Sequence, residues 1–192
     1  MDEPFSNLDT ELRESLGYEV RSLLKELGIT AIMVTHDQND AFALGDRIGV
    51  MSEGKLMQWD SSFNLYHAPK SRFVANFIGD GIFVQGQIID DKTVSTSFGE
   101  IKGEVINVDA VAKEVEVLIR PDDVTYDENS AIKGQVKRKA FKGAQTLYTL
   151  ETNNGDTLIS LVPSHDDYEI GDMIGVAINA DHLVCFNPKA SH

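Results

Sequence analysis

The chain has 192 residues, 31 acidic against 17 basic, a formal net charge of −14 and 42% hydrophobic residues. That length and apolar share suit one large or two small soluble domains with packed cores, while the charge excludes nucleic acid and anionic lipid as expected partners. No apolar run approaches a membrane span and no signal peptide is read, so the expected location is the cytoplasm or the inner face of a membrane through another subunit, without direct insertion.

The first nine residues put two adjacent carboxylates, Asp2 and Glu3, ahead of the polar loop Pro4-Phe5-Ser6-Asn7-Leu8-Asp9. Such a pair suits phosphate chemistry: one carboxylate holds Mg²⁺ through its water shell while its neighbour orients or deprotonates a water. Alone, the dipeptide before Pro4 reads more simply as a solvated loop or a helix start. From Asp9, an N-cap residue, Leu12, Leu16, Val20, Leu23, Leu24 and Leu27 recur at helical spacing until Gly28 stops the pattern. The spacing predicts an amphipathic helix over 9–28 that needs a sheet to cover. Exposing its face would cost about 1.5–3 kcal/mol per large side chain. Residues 29–34 form an unbroken apolar run, predicted as a buried parallel strand. That strand delivers His36 at its carboxyl end, the edge where open α/β sheets bind ligands.

A short helix over 37–44, a strand over 47–52, the turn Glu53-Gly54, a strand over 55–59 and two short helices over 61–66 and 71–78 complete the first part. Phe63, Leu65, Tyr66, Phe73, Val74, Phe77 and Ile78 are read as packing residues. The order Asp-Glu-Pro, Ser-Asn-Leu-Asp, helix, apolar strand and Thr35-His36-Asp37-Gln38 resembles the ATP-binding subunits of ABC transporters. Asp2-Glu3 is similar to the end of their Walker B strand, Ser6 to Asp9 to the D-loop and His36 to the switch histidine. The resemblance extends to about residue 80. No Gly-x-x-x-x-Gly-Lys-Ser/Thr and no Leu-Ser-Gly-Gly-Gln occurs, so the phosphate cradle is missing from this sequence. The expectation is the C-terminal part of a longer ATPase that does not hydrolyse ATP alone.

From Ile82 the pattern changes to short β-prone runs over 83–89, 93–98, 115–119, 134–141, 146–151, 157–162, 173–178 and 183–186, separated by turn residues. This spacing predicts a barrel or sandwich. Cys185 lies in one of these runs and is read as a buried core thiol; a single cysteine excludes an internal disulfide. The segment Arg120-Pro121-Asp122-Asp123 resembles the Arg-Pro-Glu linker in the C-terminal TOBE region of importer ATPases related to the maltose and ferric-iron systems, with Asp122 in place of Glu. The expected fold is an α/β remnant of a P-loop (RecA-like) ATPase domain over 1–80, then an all-β OB-like (TOBE) barrel over 81–192 built from strand groups on either side of that linker.

The resemblance implies roles. Asp2 would hold Mg²⁺ through water, Glu3 would be the general base and His36 would sense the terminal phosphate, while Ser6, Asn7 and Asp9 would reach across a homodimer. ATP and Mg²⁺ would serve the intact protein, with transmembrane permease subunits and a periplasmic solute-binding protein as partners. Glu3→Gln in the intact protein is expected to bind ATP without turnover. The segments Phe77-Ile78-Gly79-Asp80-Gly81 and Ser160 to His165 are most similar to the ferric-iron branch, with sugar, polyamine and other anion or cation importers close behind. His165, Asp166, Asp167 and Tyr168 offer hard ligands for a sensed metal, and a solvated loop is the simpler reading. The competing class is a non-catalytic regulatory or dimerising β-module, which an ATP-binding assay separates from an enzyme fragment.

Overall fold

Asp9 accepts the Leu12 amide at 2.9 Å and so caps the first helix, α1 (Thr10–Glu26). Glu11 in its first turn and Lys25 in its last complement the helix dipole. Asp37 caps α2 (Gln38–Leu44) in the same way. Gly17 is the buried residue of α1 because Leu44 lies over it; an added Cβ would come within 3.1 Å of the leucine Cδ2. Arg21 and Lys25 fix the same joint through Asp46 at 2.7 and 2.6 Å. A hairpin follows, β1 (Ile48–Ser52) against β2 (Lys55–Asp60), turned by Glu53 and Gly54 at φ 49° and 74°. Two successive positive φ values match the twist of a two-residue hairpin. Next comes α3 (Ser62–His67).

The computed structural model describes residues 1–108 and 113–188, and the chain divides into two compact units, Met1–Tyr66 and His67–His192. In the first unit the expected strand over 29–34 does not form. One parallel bridge joins Asp2 to Val34, with the Glu3 amide donating to the Val34 carbonyl at 2.8 Å and the Val34 amide to the Met1 carbonyl at 2.9 Å. Ile29, Ile32 and Val34 are 53, 78 and 57% exposed. A parallel strand is held by ladders on its edges and cover on its faces, and within this chain the run meets a single bridging residue. For the same reason α1 covers no sheet, and Leu12, Leu23 and Leu27 stay about half exposed.

The second unit opens with α4 (Arg72–Ile78), capped by Ser71. The strands β3 (Ile82–Asp90), β4 (Thr93–Thr96), β5 (Gly99–Lys102), β6 (Glu104–Ile106) and β7 (Glu114–Ile119) precede a 3-10 turn, Pro121–Asp123. After it come β8 (Val124–Tyr126), β9 (Lys133–Phe141), β10 (Gln145–Thr152), β11 (Thr157–Pro163), β12 (Met173–Ile178) and β13 (His182–Phe186). One sheet runs β5-β4-β3-β7-β13-β6 and the other β11-β10-β9-β12-β8. The two strand groups thus fall on either side of the 3-10 turn, except that β13 returns to pair with β7 and with β6. Across the gap between β11 and β8, Ser160 Oγ donates to the Val124 carbonyl at 2.6 Å and draws the second sheet toward closure. Val94, Val117, Val136, Leu150, Leu158, Val176 and the ring of Tyr148 fill a shared core at 0% exposure. Ala75 of α4 packs in a second cluster with Leu118, Val184 and Phe186, so this helix, placed with the ATPase part by the expected boundary at 80, belongs to the β unit.

Candidate functional site

Glu3 lies at φ 41°, a conformation a non-glycine residue holds only when its surroundings fix it. Here they do: its amide is bonded to Val34, and its carbonyl accepts Ser6 through both the amide at 3.3 Å and Oγ at 3.1 Å. The result is a contact across 33 residues, His36 Nδ1 to Glu3 Oε1 at 2.8 Å, with the side chains 75 and 45% exposed. The Glu3 carboxylate raises the imidazole's pKa above its ordinary value by hydrogen bond and charge, so His36 carries a proton more readily than a free histidine. Asp2 is exposed beside Glu3, joined to Val34 through backbone. Ser6 and Asn7 lie on the exposed loop, and Asp9 uses its carboxylate to cap α1.

The segment around His36 carries further order. Asp37 uses one oxygen to accept the Asn39 amide at 2.8 Å and the other to accept Arg13 Nη1 at 2.6 Å, while its own amide donates to Thr35 Oγ1 at 3.0 Å. Asp40, 8% exposed, has its carboxyl pushed up by burial and then by the charge of Asp37. The signal for Arg13 was one cation on a polar helix face, which spacing alone does not set apart.

An exposed carboxylate against an imidazole, with a second carboxylate adjacent, fits the water-activating wall of a Mg²⁺-nucleotide site. The gripping wall does not come from these residues: both neighbouring helix N-termini are occupied by the carboxylates of Asp9 and Asp37, where a phosphate would otherwise bind.

In the β unit the structure replaces the metal-sensing idea at 165–168. Asp167 pairs with Lys139 at 2.9 Å, which also meets Glu169 at 3.1 Å, and the Tyr168 amide donates to the Tyr148 hydroxyl at 3.1 Å. Among the described residues no three His, Cys, Asp or Glu side chains converge to hold a metal ion. The Arg-Pro segment is a buried clamp: Arg120, 3% exposed, directs Nη1 at the carbonyls of Ala75, Gly79 and Asp80 at 3.1, 2.9 and 2.9 Å. Its amide donates to Asp123 Oδ2 at 2.9 Å, and burial pushes the Asp123 carboxyl up to about 6. Cys185 is buried, its thiol pushed up to about 11 by burial. No helix among the described residues is long and apolar enough to cross a membrane.

Residues 117–186 match the TOBE domain family. The chain as a whole is similar to ATP-binding subunits of importers. The spermidine/putrescine import ATP-binding protein PotA of Pseudomonas aeruginosa is 37% identical, the alignment covering 96% of this chain and 56% of that protein. The protein of the same name from Acetivibrio thermocellus is also 37% identical, over 94% of this chain and 50% of its own length. That of Mycoplasma genitalium is 34% identical over 92% and 32%. The chain therefore spans a third to little more than half of these relatives. A cytoplasmic molybdate-binding protein, ModG, aligns with 56% of this chain and 96% of its own at 16% identity and a TM-score of 0.47. These relatives are named for spermidine and putrescine and do not support the expected ferric-iron branch.

Proposed function

We propose that this chain supplies the post-Walker-B part and the TOBE region of the ATP-hydrolysing subunit of an importer for spermidine or putrescine. The carrying observation is the 2.8 Å contact between Glu3 and His36, since it joins the two residues that the ABC pattern assigns to one phosphate pocket. In that reading Glu3 takes a proton from the attacking water, and His36, whose pKa Glu3 raises, donates a hydrogen bond toward the terminal phosphate. Asp2 would hold Mg²⁺ through its water shell, and the ion would supply charge neutralisation at the phosphates when bound. Ser6, Asn7 and Asp9 face the second copy of a homodimer, and permease subunits and a solute-binding protein complete the importer. Names of relatives over 90% of the chain support polyamines in place of iron as the solute.

The test is uptake of radiolabelled spermidine, putrescine and ferric chelates in cells carrying this chain and in cells from which its coding sequence is deleted. Loss of polyamine uptake with iron uptake intact is expected, and Glu3→Gln should reproduce the deletion. Polyamine uptake unchanged by the deletion would overturn the reading. The competing reading, a β-module without catalytic role, is supported by the self-contained core of the second unit; it requires that Glu3→Gln leave uptake intact.

A further inference from the structure

We infer that Arg13 is a positioning residue that holds the loop of Ser6 to Asp9 and the His36 segment at a fixed separation. Its guanidinium sits on the first turn of α1 and reaches in two directions. Nη1 bonds Asp37 Oδ2 at 2.6 Å, immediately after His36, and Nη2 donates to the Leu8 carbonyl at 3.3 Å, inside the loop. The ion pair is three-quarters buried, with side-chain exposures of 24 and 26%, so water screens it less than a surface pair. Arg13 Nε is buried with no acceptor, a cost that the other two bonds offset. Asp37 is held at the same time by Asn39 and Thr35, and Leu8 by its amide bond to the Phe5 carbonyl at 3.1 Å. A planar fork with diverging donors can serve both acceptors at once; an ammonium on a flexible stem acts as a point charge and meets one.

This inference rests on the proposed function only for its consequence, that the spacing between the loop and His36 matters for ATP turnover. The positioning itself is tested on the chain alone. Arg13→Lys keeps the charge and the helix, and Asp37→Asn keeps the α2 cap, since Asn caps as well as Asp. In each variant amide hydrogen exchange is expected to rise about tenfold in both 6–9 and 35–39 together, with the β1–β2 hairpin unchanged. The double variant should exchange like either single one, because both remove the same link. Exchange that rises in one segment only, or single effects that add, overturns the bridge. If Arg13→Lys loosens the whole unit, Asp37→Asn alone decides, from the other end of the link.

For function, Arg13→Lys is expected to lower the maximal rate of polyamine uptake without changing the half-saturating concentration. Coupled exchange with a normal maximal rate overturns the claim that this spacing matters for transport, and leaves the assignment of Glu3 and His36 to be judged by Glu3→Gln separately.

Discussion

Replacing Arg120 by methionine separates a clamp from a surface linker. Methionine has similar reach and no donor, so the space stays filled while the carbonyls of Ala75, Gly79 and Asp80 lose the nitrogen that lies 2.9 to 3.1 Å away. Hydrogen bonds to a charged group contribute about 1.5–3 kcal/mol each, and an orphaned buried acceptor costs about 1–3 kcal/mol. Nη1 has two N–H bonds for three carbonyls, so these figures do not add in full, and removing a buried cation recovers part of its desolvation. The expected net loss is about 3–5 kcal/mol, or roughly 10–20 °C in the melting of the β unit at about 4 °C per kcal/mol. Urea unfolding followed by circular dichroism gives the total. Amide exchange in α4 and β7 localises it, because α4 should open first once its C-terminal carbonyls are released. Arg120→Lys should lose less, since an ammonium still donates to one or two carbonyls. A methionine variant within 1 kcal/mol of the parent would refute the clamp and return this segment to the status of a linker.

Asp123 gives the β unit a pH slope. Its folded pKa, about 6, lies above the ordinary 3.8, so between pH 4 and 6 the folded state binds the more protons and stability falls as pH rises, by about 2–3 kcal/mol in total. Asp123→Asn should flatten unfolding free energy against pH across that window, and an unchanged slope would place the titration elsewhere. Cys185, buried with its thiol raised to about 11, should stay inert to a thiol-specific colorimetric reagent at pH 8 and react only after unfolding. Calorimetric titration of the 192-residue chain with Mg-ATP should give no saturable heat, because Asp9 and Asp37 already occupy the helix N-termini beside the site and the sequence holds no phosphate-cradling loop. Micromolar binding would contradict that account.

Strands with alternating burial were legible in advance. β10 and β11 alternate face by face along their length, and period-two patterning specifies them. β5, β6 and β8 were not foreseen, being three or four residues long, too short for alternation to stand above chance. Residues 29–34 misled for the opposite reason: an apolar run encodes a preference for burial, and the ladder that would satisfy it is a property of the partner. At the candidate site, Glu3 and His36, which the order of short motifs pairs, stand 2.8 Å apart, whereas the Arg13–Asp37 bridge and the Arg120 clamp join residues 24 and about 40 positions apart with no motif between them. Such single cations have no periodic neighbour to announce them.

The two units hold their key side chains by different physics. In the β unit, Arg120 depends on depth: its side chain is buried and its Ala75 acceptor lies in the cluster with Leu118, and a charge-assisted bond gains strength as water is excluded. In the first unit only Phe5, Val50 and Leu65 are buried hydrophobics among the described residues, too few to set the position of a side chain by packing. The site is instead assembled from local devices. Two carboxylates cap the helices, Ser6 fixes the positive-φ turn at Glu3, and Arg13 spans from one capped segment to the other. Each of these acts through one or two hydrogen bonds and needs no deep core beneath it. That is why an acid and an imidazole 33 residues apart stand 2.8 Å from each other in a unit whose Leu12, Leu23 and Leu27 remain about half in water.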